Sequence, residues 1–210
     1  GWQKDSKLSA PKNSNLKTVM DFSFFDKINT AKNEQTETWF KGLDRIYNNF
    51  VYDFLYPNPA SVLAFIENHD TDRFLGEGDN LPMLKQASTL LLTTRRIPQL
   101  YYGTEVMMNG VKSKSDGYVR KDFPGGWTGD ATNARPPAGR TKIQNECYDF
   151  YKTILNWRKG NDVIAKGSMV QFMVQNGVYA YARQYEGKTI FVMLNGTDAE
   201  TAVPLKFYKE

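Results

Sequence analysis

The side chains best suited to chemistry follow an apolar run at residues 62–66, in the segment ENHD at 67–70. The run predicts a short buried strand, and parallel α/β folds bind ligands at the carboxyl ends of such strands. His69 and Asp70 are neighbours there, and such a pair can hydrogen-bond a polyol and stabilise a nearby positive charge. The equally weighted alternative is a structural His–Asp pair that only closes the strand end.

Three further acids stand at predicted strand ends. Glu67 lies three residues before Asp70, so in an extended strand the two side chains point to opposite faces; we therefore expect Glu67 to be a buried or ion-paired structural acid. Glu105 could reach the same edge, and a supporting role is favoured over a catalytic one. For Asp21 the two roles are equally open. His69 and Asp70 can face one ligand only if the strand ends or bends between them, and we predict that it does.

Composition excludes several kinds of protein and of site. The 210 residues are 40% hydrophobic and 24% charged, as in a globular chain of about one and a half domains. The net charge of +4 is spread along the chain, so no nucleic-acid partner is expected. The single histidine and the single cysteine, Cys147, exclude an internal disulfide and zinc sites built from several such ligands. No apolar run approaches the ~20 residues that span a bilayer, so no membrane partner is expected.

Two smaller expectations concern side chains away from the ENHD segment. Cys147 lies on the apolar face of a predicted helix and is expected to be a buried structural thiol. Six basic residues between 112 and 142 are expected on a solvated face: Lys112, Lys114, Lys121, Arg135, Arg140 and Lys142.

Up to residue 160 the predicted elements alternate between strand and helix, which favours a parallel sheet covered by helices. Strands are predicted at 18–24, 62–66 and 97–102, and helices over 39–55, 82–91 and 147–158. Asp79 or Asn80 is expected to cap the second helix, and Gly160 to end the third. Three strands do not close a barrel, so this α/β part is expected to be incomplete.

After Gly160 the hydrophobic period changes from 3.6 to 2. Four strands are predicted, at 169–174, 178–185, 189–194 and 201–207. Asn176-Gly177 and Glu186-Gly187 are expected to form tight hairpin turns between them. The predicted domains are therefore 1–161 and 162–210.

Three segments resemble the α-amylase family, glycoside hydrolase family 13. FIENHD at 65–70 resembles the fourth sequence region of that family, and IPQLYYGTE at 97–105 resembles its strand-eight segment. GYVRKDFPGGW at 117–127 is similar to the loop that follows strand eight in neopullulanases and cyclomaltodextrinases. The three occur in family order, and the β-rich segment after them fits the family's C-terminal domain.

The resemblance implies a fold and a role for the ENHD segment. The fold class is α/β, the C-terminal part of a (β/α)8 barrel, strands six to eight, followed by an antiparallel, sandwich-like β domain. Asp70 would be the third catalytic carboxylate, which stabilises the transition state, and His69 would hydrogen-bond the same sugar. No segment matches the regions of strands four and five, which carry the nucleophile and the acid/base in the family.

Further residues are candidates for substrate binding. Arg120 and Asp122 could pair with each other or bind sugar hydroxyls. Phe123 and Trp127 could stack on a glucose face, and the equally weighted alternative is a small loop core of Phe, Pro and Trp. Tyr101 and Tyr102 are expected mainly to pack in the barrel, with one ring reaching the pocket. The full set of binding candidates is Asn68, Tyr102, Arg120, Asp122, Phe123 and Trp127.

By resemblance the chain is the C-terminal portion of a retaining hydrolase of α-1,4-glucosidic bonds, inactive on its own, whose partner is an α-glucan oligosaccharide. No cofactor is required; calcium is common in the family, although no ligand cluster is evident here. The competing hypothesis is a non-catalytic glucan-binding or assembly module. A third is a domain that completes its barrel by self-association through exposed barrel strands.

Overall fold

The computed structural model describes residues 16–34 and 39–208. Its α-helices are α1 (Phe22–Ala31), α2 (Leu43–Val51), α3 (Leu81–Thr93), α4 (Asp116–Val119), α5 (Lys142–Lys159) and α6 (Asp162–Lys166). Its strands are β1 (Leu63–Ala64), β2 (Ile97–Pro98), β3 (Ser168–Gln175), β4 (Val178–Tyr185) and β5 (Lys188–Asn195). Short 3-10 turns cover Tyr52–Leu55, Pro59–Ser61, Thr104–Val106, Pro137–Gly139 and Leu205–Tyr208.

The chain divides into two compact units. The first contains the described residues up to Phe65, the segment Thr93–Gln99 and the described residues from Asn161 onward. The second contains Ile66–Leu92 and Leu100–Gly160.

The predicted first strand, 18–24, is wrong over most of its length. Only Met20 pairs as a strand residue, in a parallel bridge to Leu63, and α1 begins two residues later at Phe22. Asp21 starts this helix, because its Oδ1 accepts a hydrogen bond from the backbone N–H of Phe24 at 2.9 Å. An aspartate cap satisfies one of the free N–H groups of the first helical turn. This hydrogen bond stabilises a helix where the apolar residues had predicted a strand.

The helix predicted over 39–55 is shorter than expected. Trp39 and Phe40 precede it and are exposed, and the helix passes into a 3-10 turn at Tyr52. Its buried face is formed by Ile46 and Phe50.

A parallel pair of strands forms the sheet of the first unit. β1 and β2 pair through Leu63 with Ile97 and Ala64 with Pro98, and α3 lies between them in sequence. Met20 bridges β1 on its other side. The predicted parallel arrangement of strands joined by helices is therefore observed, with strands shorter than the periodicity indicated.

The helices of the second unit begin and end where local chemistry places them. Asn80 caps α3 by accepting from the N–H of Met83 at 3.1 Å. Thr141 and Gln144 form a reciprocal capping box at the start of α5, and Gly160 caps its end as predicted.

The antiparallel sheet runs in the order β3-β4-β5. Both predicted hairpin turns are present, and their four residues have positive φ: Asn176 50°, Gly177 75°, Glu186 48° and Gly187 72°. Positive φ at both central residues is the requirement of a two-residue hairpin whose twist matches its strands.

The fourth predicted strand, 201–207, is wrong. Leu205–Tyr208 forms a 3-10 turn instead, and the ring of Tyr208 packs on Phe172 and Phe191 at 5.2 and 5.3 Å. Pro204 has no N–H for a strand ladder, which disfavours pairing at this point.

Candidate functional site

The ENHD segment bends directly after its buried residues. Asn68 is 1% exposed; its Oδ1 accepts from the N–H of Asp70 at 2.8 Å, and its own N–H donates to Thr71 Oγ1 at 2.9 Å. These bonds hold a tight turn, so the chain is no longer extended at His69 and Asp70. The strand was predicted to end or bend between His69 and Asp70; it ends earlier, since β1 stops at Ala64 and the turn begins at Asn68.

His69 and Asp70 point together into solvent. The side chains are 57% and 56% exposed, and His69 Nε2 lies 3.2 Å from Asp70 Oδ2. An exposed carboxylate beside an imidazole offers both acceptors and a donor to a hydroxyl-rich ligand.

Arg120 holds this pair from the loop that follows α4. Its Nη2 donates to Asp70 Oδ1 at 3.0 Å, and its Nε donates to the carbonyl of His69 at 2.8 Å. Asp116, one helical turn earlier, accepts a longer bond from the same Nη2 at 3.4 Å. The partners of Arg120 are thus Asp70 and Asp116, and the pairing with Asp122 that the sequence suggested does not occur.

Lys112 adds a second cation to this cluster. Its Nζ donates to the carbonyl of Asp70 at 2.9 Å and lies 3.2 Å from Asp116. Hydrogen bonding to Lys112 lowers the pKa of Asp116. Lys112 was expected only on a solvated face and Asp116 was not predicted, although the i,i+4 spacing of Asp116 and Arg120 indicates an ion pair.

Glu67 is buried below the turn, as its position three residues before Asp70 predicted. It is 2% exposed and accepts from the N–H of Phe74, from Thr104 Oγ1 and from Arg73 Nη1, the last at 3.3 Å. Burial raises the pKa of this carboxyl group, and its hydrogen-bond donors and Arg73 oppose the shift. Glu67 is thus both buried and ion-paired, as expected.

Tyr101 and Tyr102 pack on the guanidinium of Arg73. Their ring centroids lie 4.0 and 4.9 Å from its Cζ, and burial raises the pKa of Tyr101 to about 12. Tyr102 is half exposed, and its hydroxyl donates to the carbonyl of Lys121 at 2.7 Å.

The side chain of Asp130 holds the backbone of the FPGGW loop. Asp130 Oδ2 accepts from the N–H groups of Gly125 at 2.9 Å and Trp127 at 3.1 Å. Gly125 has a φ of 89°, and a Cβ there would lie 2.2 Å from Asn133 Oδ1, so the turn requires glycine. The Trp127 side chain is 68% exposed at the tip, whereas Phe123 is half buried.

The remaining candidates differ in burial. Asp21 is buried and forms an ion pair with Arg96 at 2.9 Å, Glu105 is half buried, and Asp122 is exposed. Cys147 is buried as predicted; its thiol lies 3.6 Å from the Thr104 carbonyl, and burial raises its pKa to about 12.

Arg140 departs from the expected solvated face. It is 9% exposed, donates to two backbone carbonyls and stacks on Tyr148 at 4.0 Å. The described residues contain no group of three His, Cys, Asp or Glu placed to hold a metal ion. Within those same residues no helix is long and apolar enough to cross a membrane.

Comparison with known proteins gives matches at the end of the chain and along most of its length. The family described as the cyclo-malto-dextrinase C-terminal domain matches residues 169–210. A cyclomaltodextrin glucanotransferase of Thermoanaerobacterium thermosulfurigenes is 30% identical over 178 residues, which are 85% of this chain and 22% of that protein. An α-amylase of Niallia circulans is also 30% identical over 85% of this chain and 30% of its own length. The chain therefore spans less than a third of either relative.

The fold has relatives among solved structures. The α-amylase of Geobacillus thermoleovorans, solved in complex with acarbose, superposes with a TM-score of 0.69 over 87% of this chain and 37% of that one, at 23% identity. Such a score at such low identity shows that the fold is shared. In sequence and in fold, over most of its length, this chain is a relative of the α-amylase family of starch- and maltodextrin-processing enzymes, glycoside hydrolase family 13.

Proposed function

We propose that this chain is the sugar-holding, C-terminal portion of a retaining enzyme that cleaves α-1,4-glucosidic bonds. The observation that carries the proposal is the exposed His69–Asp70 pair, with Nε2 and Oδ2 3.2 Å apart, on a turn that follows a buried parallel strand. Asp70 is assigned as the transition-state stabiliser and His69 as its partner on the same sugar.

The chemistry follows from charge development in the sugar ring. During retaining cleavage the ring flattens toward an oxocarbenium ion, and hydrogen bonds to its hydroxyls strengthen in that transition state. Bonds that strengthen there accelerate the reaction, whereas bonds of constant strength only improve binding. Asp70 accepts from the hydroxyls and His69 donates to them, while Arg120 fixes the direction of the carboxylate at 3.0 Å.

The nucleophile and the acid/base are assigned to other parts of a larger enzyme. Two carboxyl groups about 5–5.5 Å apart perform retaining hydrolysis, and no segment of this sequence resembles the regions that carry them in the family. The relatives, three to five times longer than the matched segment, support this assignment. In the same way, the Met20 segment, β1 and β2 are assigned to barrel strands six, seven and eight, because they lie side by side in that order.

The other binding candidates divide by exposure. Arg120 and Trp127 reach solvent and are assigned to direct sugar contact. Asp122 and Phe123, from the same loop as Trp127, are assigned to the same contact. Asn68 and Tyr102 are assigned mainly to holding the backbone around the pair. The partner is an α-glucan oligosaccharide, and no cofactor is required.

Calorimetry with maltoheptaose tests the binding role of Asp70. The wild-type chain is expected to bind it, and Asp70→Ala to weaken binding about tenfold or more, since a hydrogen bond to a charged group contributes roughly 1.5–3 kcal/mol. Asp162→Ala is the matched control, because Asp162 is equally exposed and forms its own ion pair with Lys166. A cello-oligosaccharide of similar length, which is β-linked, checks selectivity. Equal affinity of Asp70→Ala and wild type would contradict the role of Asp70.

An assay of reducing ends on soluble starch and cyclodextrin tests the assignment of the two missing carboxylates. The 210-residue chain is expected to show no hydrolysis above the background given by Asp70→Ala. Turnover above that background would show that this chain contains a complete catalytic set and would overturn the assignment.

The exposed ring of Trp127 favours one second candidate, a non-catalytic glucan-binding module. That function predicts binding that Trp127→Ala abolishes and that Asp70→Ala leaves unchanged. The same calorimetry therefore separates the two functions.

A further inference from the structure

Arg73 joins three separate segments of the second unit while it is itself completely buried. Its side chain is 0% exposed; Nη1 donates to the Tyr102 carbonyl at 2.6 Å and to Glu67 at 3.3 Å, and Nε donates to the Val119 carbonyl at 3.1 Å. Its own backbone N–H donates to the Gly110 carbonyl at 3.0 Å. The guanidinium thus fixes the backbone at the end of α4 relative to the turn that carries His69 and Asp70.

Arg73 holds the backbone at Val119, and the next residue in the chain is Arg120. Val119 is completely buried, so its carbonyl depends on an internal donor, and Arg73 Nε supplies it. From that fixed point Arg120 reaches back to Asp70 Oδ1 at 3.0 Å and to the His69 carbonyl at 2.8 Å. Arg73 is therefore connected to the exposed pair indirectly. It bonds to the Val119 carbonyl, and Arg120, the next residue, bonds to His69 and Asp70.

We propose that Arg73 is a positioning residue for Asp70, and that it acts by holding the Val119 carbonyl and so aiming the guanidinium of Arg120. Glu67 balances the buried charge of Arg73. The sugar-binding consequence rests on the proposed function, whereas the orientation of the His69–Asp70 pair does not.

His69 reports on this orientation without any ligand, because it is the only histidine in the chain. The imidazole proton resonances of a chain purified without a histidine tag therefore come from the site alone. Arg73→Lys keeps a positive charge beside Glu67 but removes the forked donor that spans the Val119 and Tyr102 carbonyls. We expect it to shift the His69 resonances and to weaken maltoheptaose binding about fivefold.

Arg140→Lys is the matched control. Arg140 is also buried in the second unit and stacks on a tyrosine ring. Its guanidinium donates to the carbonyls of Ala134 and Arg135 and to the side chain of Asn145, and not to Val119 or Asp70. Both substitutions are expected to lower the melting temperature, and only Arg73→Lys is expected to move the His69 resonances. Equal His69 shifts in the two variants would overturn the proposal in favour of a merely structural role.

A double-mutant cycle tests the route through Arg120. The Arg120 side chain is 41% exposed, and Arg120→Gln is expected to shift the His69 resonances by itself. In that background Arg73→Lys should add little further shift, because residues that act through one contact are non-additive. Additive shifts, or unchanged His69 resonances in Arg120→Gln, would refute the route. If wild type binds no maltoheptaose, the proposed function fails, while these resonances still decide the positioning role.

Discussion

At the residue scale, two acids three positions apart have opposite environments. Glu67 is 2% exposed and has a pKa raised by burial, whereas the Asp70 side chain is 56% exposed beside His69 and Arg120. Burial favours the neutral form of a carboxyl group and removes it from any ligand, while exposure leaves Asp70 free to accept hydrogen bonds from one. The turn at Asn68, and not the acidic side chain itself, therefore decides which of the two carboxyl groups is accessible to a ligand.

Cys147 gives a prediction at the same scale. Only the thiolate is a nucleophile, and a buried thiol with a pKa of about 12 has almost none at neutral pH. The folded chain is expected to be unreactive toward Ellman's reagent at pH 8, and to react with one equivalent after unfolding in guanidinium chloride. The absorbance of the thiolate that the reagent releases measures the reaction of the folded and of the unfolded chain. Rapid stoichiometric reaction of the folded chain would contradict the buried position.

At the scale of elements, short polar contacts decide where the chain turns. The Asn68 side chain ends the extended segment before His69, Asp21 converts a strand-like pattern into the first turn of α1, and Asp130 holds the FPGGW loop. Each is a short side chain that bonds to backbone N–H groups a few residues away, a property of Asn and Asp that competes with regular strands.

The two hairpins of the antiparallel sheet allow a matched prediction. Both turns need positive φ at the first position, which asparagine tolerates better than glutamate; the first hairpin has Asn176 there and the second has Glu186. Glu186→Asn should stabilise the chain by about 0.5 kcal/mol, and Asn176→Glu should destabilise it by a similar amount. Urea unfolding measures both. Destabilisation by Glu186→Asn would contradict the turn geometry.

At the scale of the whole molecule, the parallel sheet has an open edge. Among the described strands β2 pairs only with β1, and Ile97 in β2 is 45% exposed. An edge strand with free N–H and C=O groups is a template for pairing with another chain.

Self-association follows as a prediction for this 210-residue chain. Its mass in light scattering is expected to rise with protein concentration, and Ile97→Lys is expected to reduce that rise because a charge on an edge strand opposes pairing. Ile143→Lys, at an exposed position on α5, is the control and should leave the association unchanged. A monomer at every concentration would contradict association through this edge.

The sequence alone determined the elements that short-range chemistry fixes. Both hairpin turns, a helix cap at residue 79 or 80, the end of α5 at Gly160 and a bend in the ENHD segment follow from side-chain types a few residues apart. The resemblance to the α-amylase family likewise rests on the sequence alone, on three motifs that occur in the order of the family.

Tertiary structure decided which distant groups meet. The pairing of Arg120 with Asp70, 50 residues away, and the burial of Arg73 against Val119, 46 residues away, depend on how the chain returns to the same place. The packing of Tyr208 on the sheet and the burial of Arg140 were missed for the same reason. A local pattern records which face of an element is apolar, but the partner of a charged side chain is set by packing between segments that are remote in sequence.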